Sequence, residues 1–429
     1  MTKQNSSTIQ NVYILGSSRT PFVRSFTNYS KLSTQALMEI SLKDLVQKYH
    51  LEGQLLDDVA LGAVISSSRN WNLARESVLS SGLHPATPAY NLQRACGTSF
   101  EAAHQMFAKM ALGLIDTGIA AGVDTNSAAP IESNESLRSL IMNFSQSKGV
   151  AGKWKAFQQA GLTKLGFLVP GVVEPRTGLS MGQHCELMVK EWKISQAEQD
   201  QLALQSHRQA DKAWQSGFYA DLVVPVGNIV KDSFIRADTT LEKLAKLKPA
   251  FDPHHGTITA GNASPLSDGS SAVLLANETG VDRLKIKPLA RIVDIQVAAV
   301  DFVHGEGLLM APTKAVAKLL QRQKLRLQEF DYYEIHEAFA GQVISTLKAW
   351  NSPEFCKNKL QLSEPLGSID LQKMNVVGGS LALGHPFAAT GGRILGSLGK
   401  LLHGSRKRAL VSICTAGGMG IAGIIEGVE

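Results

Sequence analysis

Short apolar runs alternate along the chain with longer segments in which apolar positions recur every three or four residues. Residues 12–16 and 288–293 are apolar runs of the length of buried strands, and each opens one part of the chain. Residues 33–49 and 311–324 carry one apolar face, which predicts an amphipathic helix after each of these strands. In both parts a further strand then leads into a glycine-containing turn and another helix. The pattern therefore predicts two similar halves.

Alternating strands and helices are typical of a layered α/β architecture, because each sheet face needs a helical layer to cover it. Further buried strands are predicted at 118–124, 272–276, 409–414 and 421–426. We expect an N-terminal half at 1–124 together with 250–285, and a C-terminal half at 286–429. The segment at 125–249 interrupts the first half and is expected to form an inserted loop domain.

The most irregular part of this insertion, residues 133–178, combines basic and apolar side chains. They are Lys148, Lys153, Lys155, Lys164 and Arg176 beside Phe144, Trp154, Phe157, Phe167 and Leu168. This composition fits two interpretations equally. One is a solvated helical cover over the core, and the other is a lid that binds an apolar ligand with an anionic head, a membrane or a partner. After it, residues 196–217 predict a helix that ends at Gly217.

The composition narrows the class of protein. Hydrophobic residues make up 44% of the 429 residues and charged residues 19%, which indicates a large core and favours an oligomer. The net charge of +6 contains no run of five like charges, so nucleic-acid binding has little support, whereas anionic small molecules fit. The polar N-terminal segment lacks the apolar stretch of a secretory signal, and the near-apolar run at 409–425 is too short to span a membrane. We therefore expect a cytoplasmic protein.

The four cysteines are Cys96, Cys185, Cys356 and Cys414. They are far apart and form no Cys-x-x-Cys pair, so their spacing predicts neither a disulfide framework nor a zinc site, and it favours a reducing compartment.

Cys96 lies where a short extended segment ends and an amphipathic helix begins. The apolar face of that helix is predicted to contain Phe100, Ala103, Phe107, Met110 and Leu114. The positive end of a helix and its unpaired backbone N–H groups favour a thiolate, and the same amides can hold a carbonyl oxygen that becomes negative. Most free cysteines are small buried hydrophobes, so Cys96 by itself leaves a nucleophile and a packing residue both open.

Four segments place a reactive or polar side chain in a turn after an apolar strand. They are the Cys96 turn and residues 336–340, 384–386 and 414–420. Such turns gather at one edge of an open α/β sheet, where ligands bind. Two cysteines and two histidines in these turns indicate acyl chemistry on sulfur.

These segments resemble the thiolase family. The resemblance extends along the chain through Arg19-Thr20-Pro21-Phe22, Met181-Gly182, the run from Gly256 to Ser264, Asp268-Gly269 and Cys414-Thr415-Ala416-Gly417-Gly418. It implies a duplicated fold with αβαβα layers. The run His336-Glu337-Ala338-Phe339 is similar to the fatty-acid-oxidation branch, which includes thiolase subunits of multienzyme β-oxidation complexes. The small acetoacetyl-CoA thiolases usually have Asn at the position of His336.

The resemblance implies a role for each of these residues. Cys96 would accept the acyl group, His385 would take its proton, and Cys414 would be the second acid/base. His336 would join His385 in an oxyanion hole for the thioester enolate. The backbone N–H groups of Cys96 and Ala416 would form the other hole, although many thiolases have Gly in place of Ala416.

The implied reaction is the reversible cleavage of 3-ketoacyl-CoA by CoA to acyl-CoA and acetyl-CoA in fatty-acid β-oxidation. CoA would be a co-substrate, with no permanently bound cofactor and no metal. Ser264, Met181 and Phe339 match positions along the pantetheine arm, although ordinary packing explains Met181 and Phe339 nearly as well. The resemblance also implies at least a homodimer, and it suggests contact with a hydratase/dehydrogenase subunit. The basic and apolar composition of the insertion separately allows contact with a membrane surface.

Three alternatives stay open. One is an acetoacetyl-CoA-forming biosynthetic thiolase, in which Asn would usually stand at the position of His336. A decarboxylating ketosynthase of the same fold would lack the second cysteine, so Cys414 opposes it. A non-catalytic carrier of acyl-CoA or lipid would not need the reactive groups. The G-x-G-x-x-G spelling at 418–423 has no following βαβ unit, so NAD binding is not expected. Cys185, Cys356, His84, His254 and His255 are expected to be inert or surface residues.

Overall fold

The computed structural model of the chain describes residues 9–159, 165–169 and 171–429. The polar N-terminal residues 1–8 and Lys164, both considered above, lie outside the described residues. The described strands are β1 (Val12–Arg19), β2 (Val23–Arg24), β3 (Asp58–Gly62), β4 (Ala89–Asn91), β5 (Thr117–Asp124), β6 (Glu132–Ser133), β7 (Phe167–Leu168), β8 (Ser267–Asn277), β9 (Ala290–Ala299), β10 (Tyr332–Ile335), β11 (Arg408–Thr415) and β12 (Met419–Gly427).

The described α-helices alternate with these strands, as the sequence predicts. They are α1 (Thr34–Lys48), α2 (Leu73–Ser81), α3 (Thr98–Ala111), α4 (Glu135–Gln146), α5 (Gly149–Gln159), α6 (Met181–Glu191), α7 (Gln196–Gln215), α8 (Leu241–Leu244), α9 (Glu278–Leu284), α10 (Ala311–Gln323), α11 (Ala340–Asn351), α12 (Pro353–Leu360), α13 (Ser380–Leu383) and α14 (Thr390–Leu402).

The main sheet is built from two parts with similar strand arrangements. In the first part β4, β3, β5, β8 and β1 lie side by side, and in the second part β10, β11, β12 and β9 do. The pairs at each outer end are parallel and the inner pairs are antiparallel. The two parts join where β1 pairs with β9, with Val12 opposite Ile292 and Ile14 opposite Ala290.

Helices α3 and α14 form a central layer that both parts share. Phe100 and Met106 of α3 and Ile394 and Leu398 of α14 are buried in one cluster with strand residues from both halves. Helices α1 and α2 cover the outer face of the first part, and α10 and α11 cover that of the second. The layers therefore follow the order helix, sheet, helix, sheet, helix, and the predicted layered α/β fold is confirmed.

The first turns of α3 and α14 touch each other without room for a side chain. The backbone N–H of Gly392 donates to Ser99 Oγ at 2.7 Å. A Cβ placed on Gly391 would lie 2.4 Å from the backbone nitrogen of Phe100, which is closer than any side chain can pack. Glycine is therefore required at this crossing, and the turns that precede the two helices are held against each other.

Helix boundaries agree with the sequence pattern where capping residues set them. Ser33 caps the start of α1, and Ser195 belongs to a capping box at the start of α7. Helix α7 stops just before Gly217, whose φ of 74° ends the helical path. The prediction for Leu114 is wrong: α3 ends three residues before it, and Leu114 is 70% exposed.

The described part of residues 133–178 contains α4, α5 and β7, which pairs antiparallel with β6, so this part of the insertion is more regular than the sequence suggests. We define the insertion patch as the exposed apolar side chains of these elements. They are Ile141, Met142, Phe144, Val150, Trp154, Phe157, Phe167 and Leu168. Lys148, Lys153 and Lys155 are exposed among them. Within the part of the chain that the structure describes, the helices are too short or too polar for any to cross a membrane.

Candidate active site

Cys96 lies in a tight turn between β4 and α3 that is held in a strained conformation. Ala95 has a φ of 43°, a region that residues with a Cβ seldom adopt. The Thr98 hydroxyl donates to the carbonyl of Ala95 at 2.7 Å and accepts from the N–H of Arg94 at 2.9 Å. These bonds stabilise the turn, so its conformation is fixed by α3 and the thiol is placed at the start of that helix.

His336 follows β10 directly and continues its pairing with β11. The backbone N–H of His336 donates to the carbonyl of Ser412 at 2.8 Å. Its ring Nδ1 lies 2.8 Å from the hydroxyl of Ser380, the first residue of α13. The imidazole is 1% exposed, so the backbone and one hydroxyl together fix its position.

His385 lies in the turn between α13 and α14. Its backbone N–H donates to Ser267 Oγ at 3.0 Å, and its ring Nδ1 lies 2.6 Å from Thr390 Oγ1 in the first turn of α14. Gly384 before it has a φ of 98°, and a Cβ there would lie 2.8 Å from the Phe234 ring. The turn therefore needs glycine at 384 in order to present His385.

The fold brings Cys96, His336 and His385 together. The Cys96 sulfur and one ring nitrogen of each histidine all lie within 4.8 Å of one another. The two imidazole rings have centroids 4.2 Å apart, at an angle of 49°. The Nε2 atoms of both rings are buried and have no hydrogen-bond partner among the described residues. Both nitrogens are therefore free to interact with a ligand or with the thiol.

Cys414 and the turn after it reach the same point from β11. The backbone N–H of Ala416 forms a hydrogen bond with the Cys96 thiol, as does the N–H of Cys96 itself. Cys414 is 1% exposed, and its pKa is raised well above the usual value by burial and then by the charge of Cys96. The two sulfur groups are thus close enough to influence each other, and the two amides of the predicted oxyanion hole converge on one sulfur.

Burial decides the protonation state of these groups. It raises the pKa of the Cys96 thiol from 9.0 to about 12, against the hydrogen bonds from the two amides. That rise corresponds to about 4 kcal/mol, whereas a helix end typically contributes about 0.3–1 kcal/mol. The local effect of the helix end, which favours a thiolate, is therefore outweighed by burial at Cys96. Burial and then Arg393 lower the pKa of His385 to about 3, and burial, His385 and Arg393 lower that of His336 well below 6.5.

A buried ion pair lies beneath His336 and determines its tautomer. Arg393 of α14 and Glu334 of β10 are 3.2 Å apart, with side chains only 1% and 3% exposed. Arg393 also donates to Ser380 Oγ at 3.0 Å. Because arginine only donates, the Ser380 hydroxyl proton is left for His336 Nδ1, the one acceptor it has among the described residues. The proton of neutral His336 is thereby assigned to Nε2, which makes that atom a donor toward Cys96.

Glu337 and Asp124 hold the backbone around the histidines. Glu337 is buried and accepts from Asn375 Nδ2 at 2.5 Å and Ser206 Oγ at 2.7 Å, as well as from the N–H of Leu381 at 3.2 Å. Asp124, at the end of β5, accepts from the N–H of Ala388 at 2.8 Å, three residues after His385. Both carboxylates therefore position the segments that carry the imidazoles.

These supporting residues were missed from the sequence. Glu334 and Arg393 lie within apolar elements, and a charged side chain in a buried strand or helix is a signal that such a residue has a partner. Ser380 and Thr390 carry no such signal, because hydroxyls are common at the first positions of helices.

The three residues expected near the pantetheine arm lie on the Cys414 side of the site. The N–H of Ser264 donates to the carbonyl of Ala338 at 2.9 Å. Phe339 is 8% exposed and packs edge-on against Phe251, with ring centroids 5.8 Å apart. Met181 packs against the apolar cluster that contains Phe339 and Cys414. Ser264 is half-buried and so accessible, whereas Phe339 and Met181 take part in packing.

The remaining candidates lie elsewhere or are inaccessible. Cys185 is buried in the cluster around Cys414, and burial raises its pKa. Cys356 is buried and its thiol donates to the carbonyl of Trp350 at 3.4 Å. His84, His254 and His255 are exposed.

Comparison with known proteins agrees with this geometry. The chain matches the thiolase N-terminal domain over residues 12–279 and the thiolase C-terminal domain over 286–427. It is 37% identical to a 3-ketoacyl-CoA thiolase of Colwellia psychrerythraea over 98% of both chains. Among solved structures, it is similar to the Bacillus anthracis acetyl-CoA acetyltransferase (TM-score 0.80, 31% identity, 99% and 100% covered). It is also similar to the Acat5 thiolase of Ascaris suum in complex with coenzyme A (TM-score 0.79, 26% identity, 98% and 100% covered). The chain belongs to the thiolase family.

Proposed function

We propose that this chain is a 3-ketoacyl-CoA thiolase that cleaves 3-ketoacyl-CoA with CoA, reversibly, to acyl-CoA and acetyl-CoA. The observation that carries the proposal is the convergence on one thiol of two neutral imidazoles and two backbone N–H groups, with a second thiol close by. These groups supply a nucleophile, a base, an acid and two sets of oxyanion donors.

In the first half-reaction Cys96 attacks the 3-keto carbon of the substrate. Its proton passes to Nε2 of His385, since Nδ1 of that ring then donates to Thr390 Oγ1. Because both groups are neutral at rest, the proton transfer accompanies the attack rather than preceding it. The N–H groups of Cys96 and Ala416 donate hydrogen bonds to the substrate oxygen as negative charge develops on it.

Cleavage of the carbon–carbon bond then releases acetyl-CoA as its enolate. Nε2–H of His336 and the protonated His385 stabilise the enolate oxygen, and Cys414 gives its proton to the carbon. The Cys414 thiolate takes the proton of the incoming CoA thiol, which attacks the acyl group on Cys96. The Cys96 sulfur leaves as a thiolate and takes back its proton from His385. Every proton is thereby returned, and the scheme predicts ping-pong kinetics.

The identity of residue 336 favours a degradative role. The structure holds its imidazole as a donor by means of Ser380 and Arg393, which suits stabilisation of an enolate. The range of substrates distinguishes this function from that of an acetoacetyl-CoA-forming thiolase. A degradative enzyme cleaves 3-ketoacyl-CoA of medium and long chains, whereas the biosynthetic enzyme turns over acetoacetyl-CoA alone.

The test is thiolysis of 3-ketoacyl-CoA by the whole chain and by cysteine variants. Cys96→Ala should abolish turnover and acyl-enzyme formation while the fold is kept. Cys356→Ala is the matched control, because it removes another buried thiol that lies outside the site. Turnover by Cys96→Ala within a factor of ten of the unmodified chain would rule out the acyl-enzyme.

The proposal extends to partners and location. β4 ends the main sheet, and Trp71 near it is 82% exposed, which supports a homodimer through this edge. The exposed insertion patch and its lysines support contact with a hydratase/dehydrogenase subunit, and binding to anionic vesicles would instead indicate a membrane surface. All four cysteines are free, which supports a reducing, cytoplasmic setting.

A further inference from the structure

We propose that Cys96, His336 and His385 form a binding site for a thiophilic divalent cation, Zn²⁺, which blocks the enzyme by occupying its nucleophile. The inference concerns regulation of the site described above and uses its residues. Its tests read the bound metal directly, so it stands or fails separately from the proposed reaction.

The donor atoms are the types that Zn²⁺ prefers, at nearly the required spacing. One sulfur and two imidazole nitrogens lie within 4.8 Å of one another. An ion at the centre of such a triangle is at most about 2.8 Å from each donor. Zinc bonds to sulfur and to imidazole nitrogen are about 2.3 Å and 2.0–2.1 Å long. Inward movement of each donor by about half an ångström or a little more completes the site.

The two imidazoles are prepared as metal ligands. The Nδ1 atom of each contacts one hydroxyl, that of Ser380 for His336 and that of Thr390 for His385. A ligating histidine donates its other ring N–H to such an outer partner. Metal binding therefore moves the proton of His336 from Nε2, where it lies in the metal-free site, to Nδ1, from which it is donated to Ser380 Oγ. The Nε2 atoms are left without a partner although the residues are only 1% and 4% exposed. A buried nitrogen without a hydrogen bond is costly, and a metal ion removes that cost for both rings at once.

Charge and coordination number also fit. Binding transfers the proton of the Cys96 thiol to solvent and forms a sulfur–zinc bond, so one positive charge remains at the centre. Arg393 opposes that charge, as it opposes protonation of both imidazoles, and its ion pair with Glu334 at 3.2 Å offsets part of the repulsion. Three protein ligands leave the fourth position to water or to the neighbouring Cys414.

His336 makes the site particular to chains of this type. Where small acetoacetyl-CoA thiolases have Asn, a carboxamide takes the place of an imidazole, and one good zinc ligand is lost. His336→Asn therefore tests the proposal with a side chain that this fold accepts at this position.

The experiment titrates the whole chain, without a histidine tag, with Co²⁺ and then with Zn²⁺. One equivalent of Co²⁺ should bind and give a thiolate-to-cobalt absorption band that Zn²⁺ removes. Cys96→Ala should lose the band. Loss of an outer-shell partner alone typically weakens metal binding by about 10–100-fold. His336→Asn removes a direct ligand, so it should weaken Co²⁺ binding by more than that. The controls are Cys356→Ala and the double variant His254→Gln/His255→Gln, because those histidines are exposed and adjacent. Both controls should match the unmodified chain.

Three results would overturn the inference: a band that persists in Cys96→Ala, a band that disappears in the surface double variant, or no metal binding at all. Thiolysis measured in parallel with a chelator keeps the two proposals apart. Turnover without metal binding would refute the zinc site and leave the proposed reaction standing. Stoichiometric zinc binding without turnover would refute the proposed reaction and leave the zinc site standing. Acetylation of Cys96 by acetyl-CoA should prevent binding, since the sulfur ligand is then consumed.

Discussion

Removal of the Ser380 hydroxyl should disable the enolate hole and leave the nucleophile intact. In Ser380→Ala, His336 Nδ1 loses its contact at 2.8 Å and Arg393 loses an acceptor at 3.0 Å. A buried polar group left unpaired costs about 1–3 kcal/mol of stability. Loss of one oxyanion donor costs about 10²–10³ in rate. An imidazole without tautomer control still presents an N–H part of the time, so we expect kcat to fall by about 10–100-fold.

Two reactions of the same protein measure this effect separately. Thiolysis of 3-ketoacyl-CoA needs the enolate hole, whereas exchange of labelled CoA into acyl-CoA forms no enolate and does not need that hole. Ser380→Ala should therefore slow thiolysis far more than exchange, with KM changed little. A merely structural defect would slow both reactions equally.

Ser412→Ala is the matched control. Its hydroxyl is buried on β11 and has no hydrogen-bond partner among the described residues, so its removal should leave activity unchanged and stability equal or higher. If Ser380→Ala kept thiolysis within twofold of the unmodified chain, or lost thiolysis and exchange in the same proportion, the assigned tautomer of His336 would be wrong.

Three further predictions follow from distances and charges in the site. Gly391→Ala should lower the unfolding free energy by at least about 1–3 kcal/mol in denaturant titration, because its Cβ meets the backbone of α3. Gly152→Ala in α5 should change the unfolding free energy little. Equal losses of unfolding free energy in the two variants would contradict the close contact between α3 and α14. Cys414→Ala should slow carbon–carbon cleavage far more than acyl exchange, because the enolate carbon needs an acid in the site whereas a CoA thiol can lose its proton to solvent. Similar losses in the two reactions would contradict its role as the acid. The lowered pKa values mean that His336 and His385 stay neutral as the pH falls from 8 to 5, so their ring NMR signals should not move, and a midpoint near 6.5 in either signal would refute this.

The sequence allowed the fold and the central residues to be predicted because each follows a strong local signal. Apolar periodicity indicated β1, α1 and α10, and a reactive side chain in a turn after an apolar run indicated Cys96, His385 and Cys414. Leu114 was wrong because the helical spacing continues past the point where Gly113 adopts a φ of 68° and ends the helix. Periodicity does not register that backbone reversal.

The protonation state and the supporting network could not be predicted in the same way. Both depend on how much water is excluded, which depends on packing between segments far apart in sequence. The helix dipole acting on Cys96 was visible locally, but the burial that outweighs it was not. The same reason explains why cysteine spacing gave no hint of a metal site: residues 96, 336 and 385 converge only after both halves have folded.

The hydrogen bond between Gly392 and Ser99 joins the first turns of the two helices that follow the nucleophile and the base. The separation of sulfur and imidazole is therefore set in the deepest layer of the molecule, by a contact between the backbone of α14 and a hydroxyl of α3. Loops at the rim can lengthen, shrink or change composition without altering that separation. Acyl-chain preference is accordingly free to diverge within this architecture while the bond-forming step stays the same.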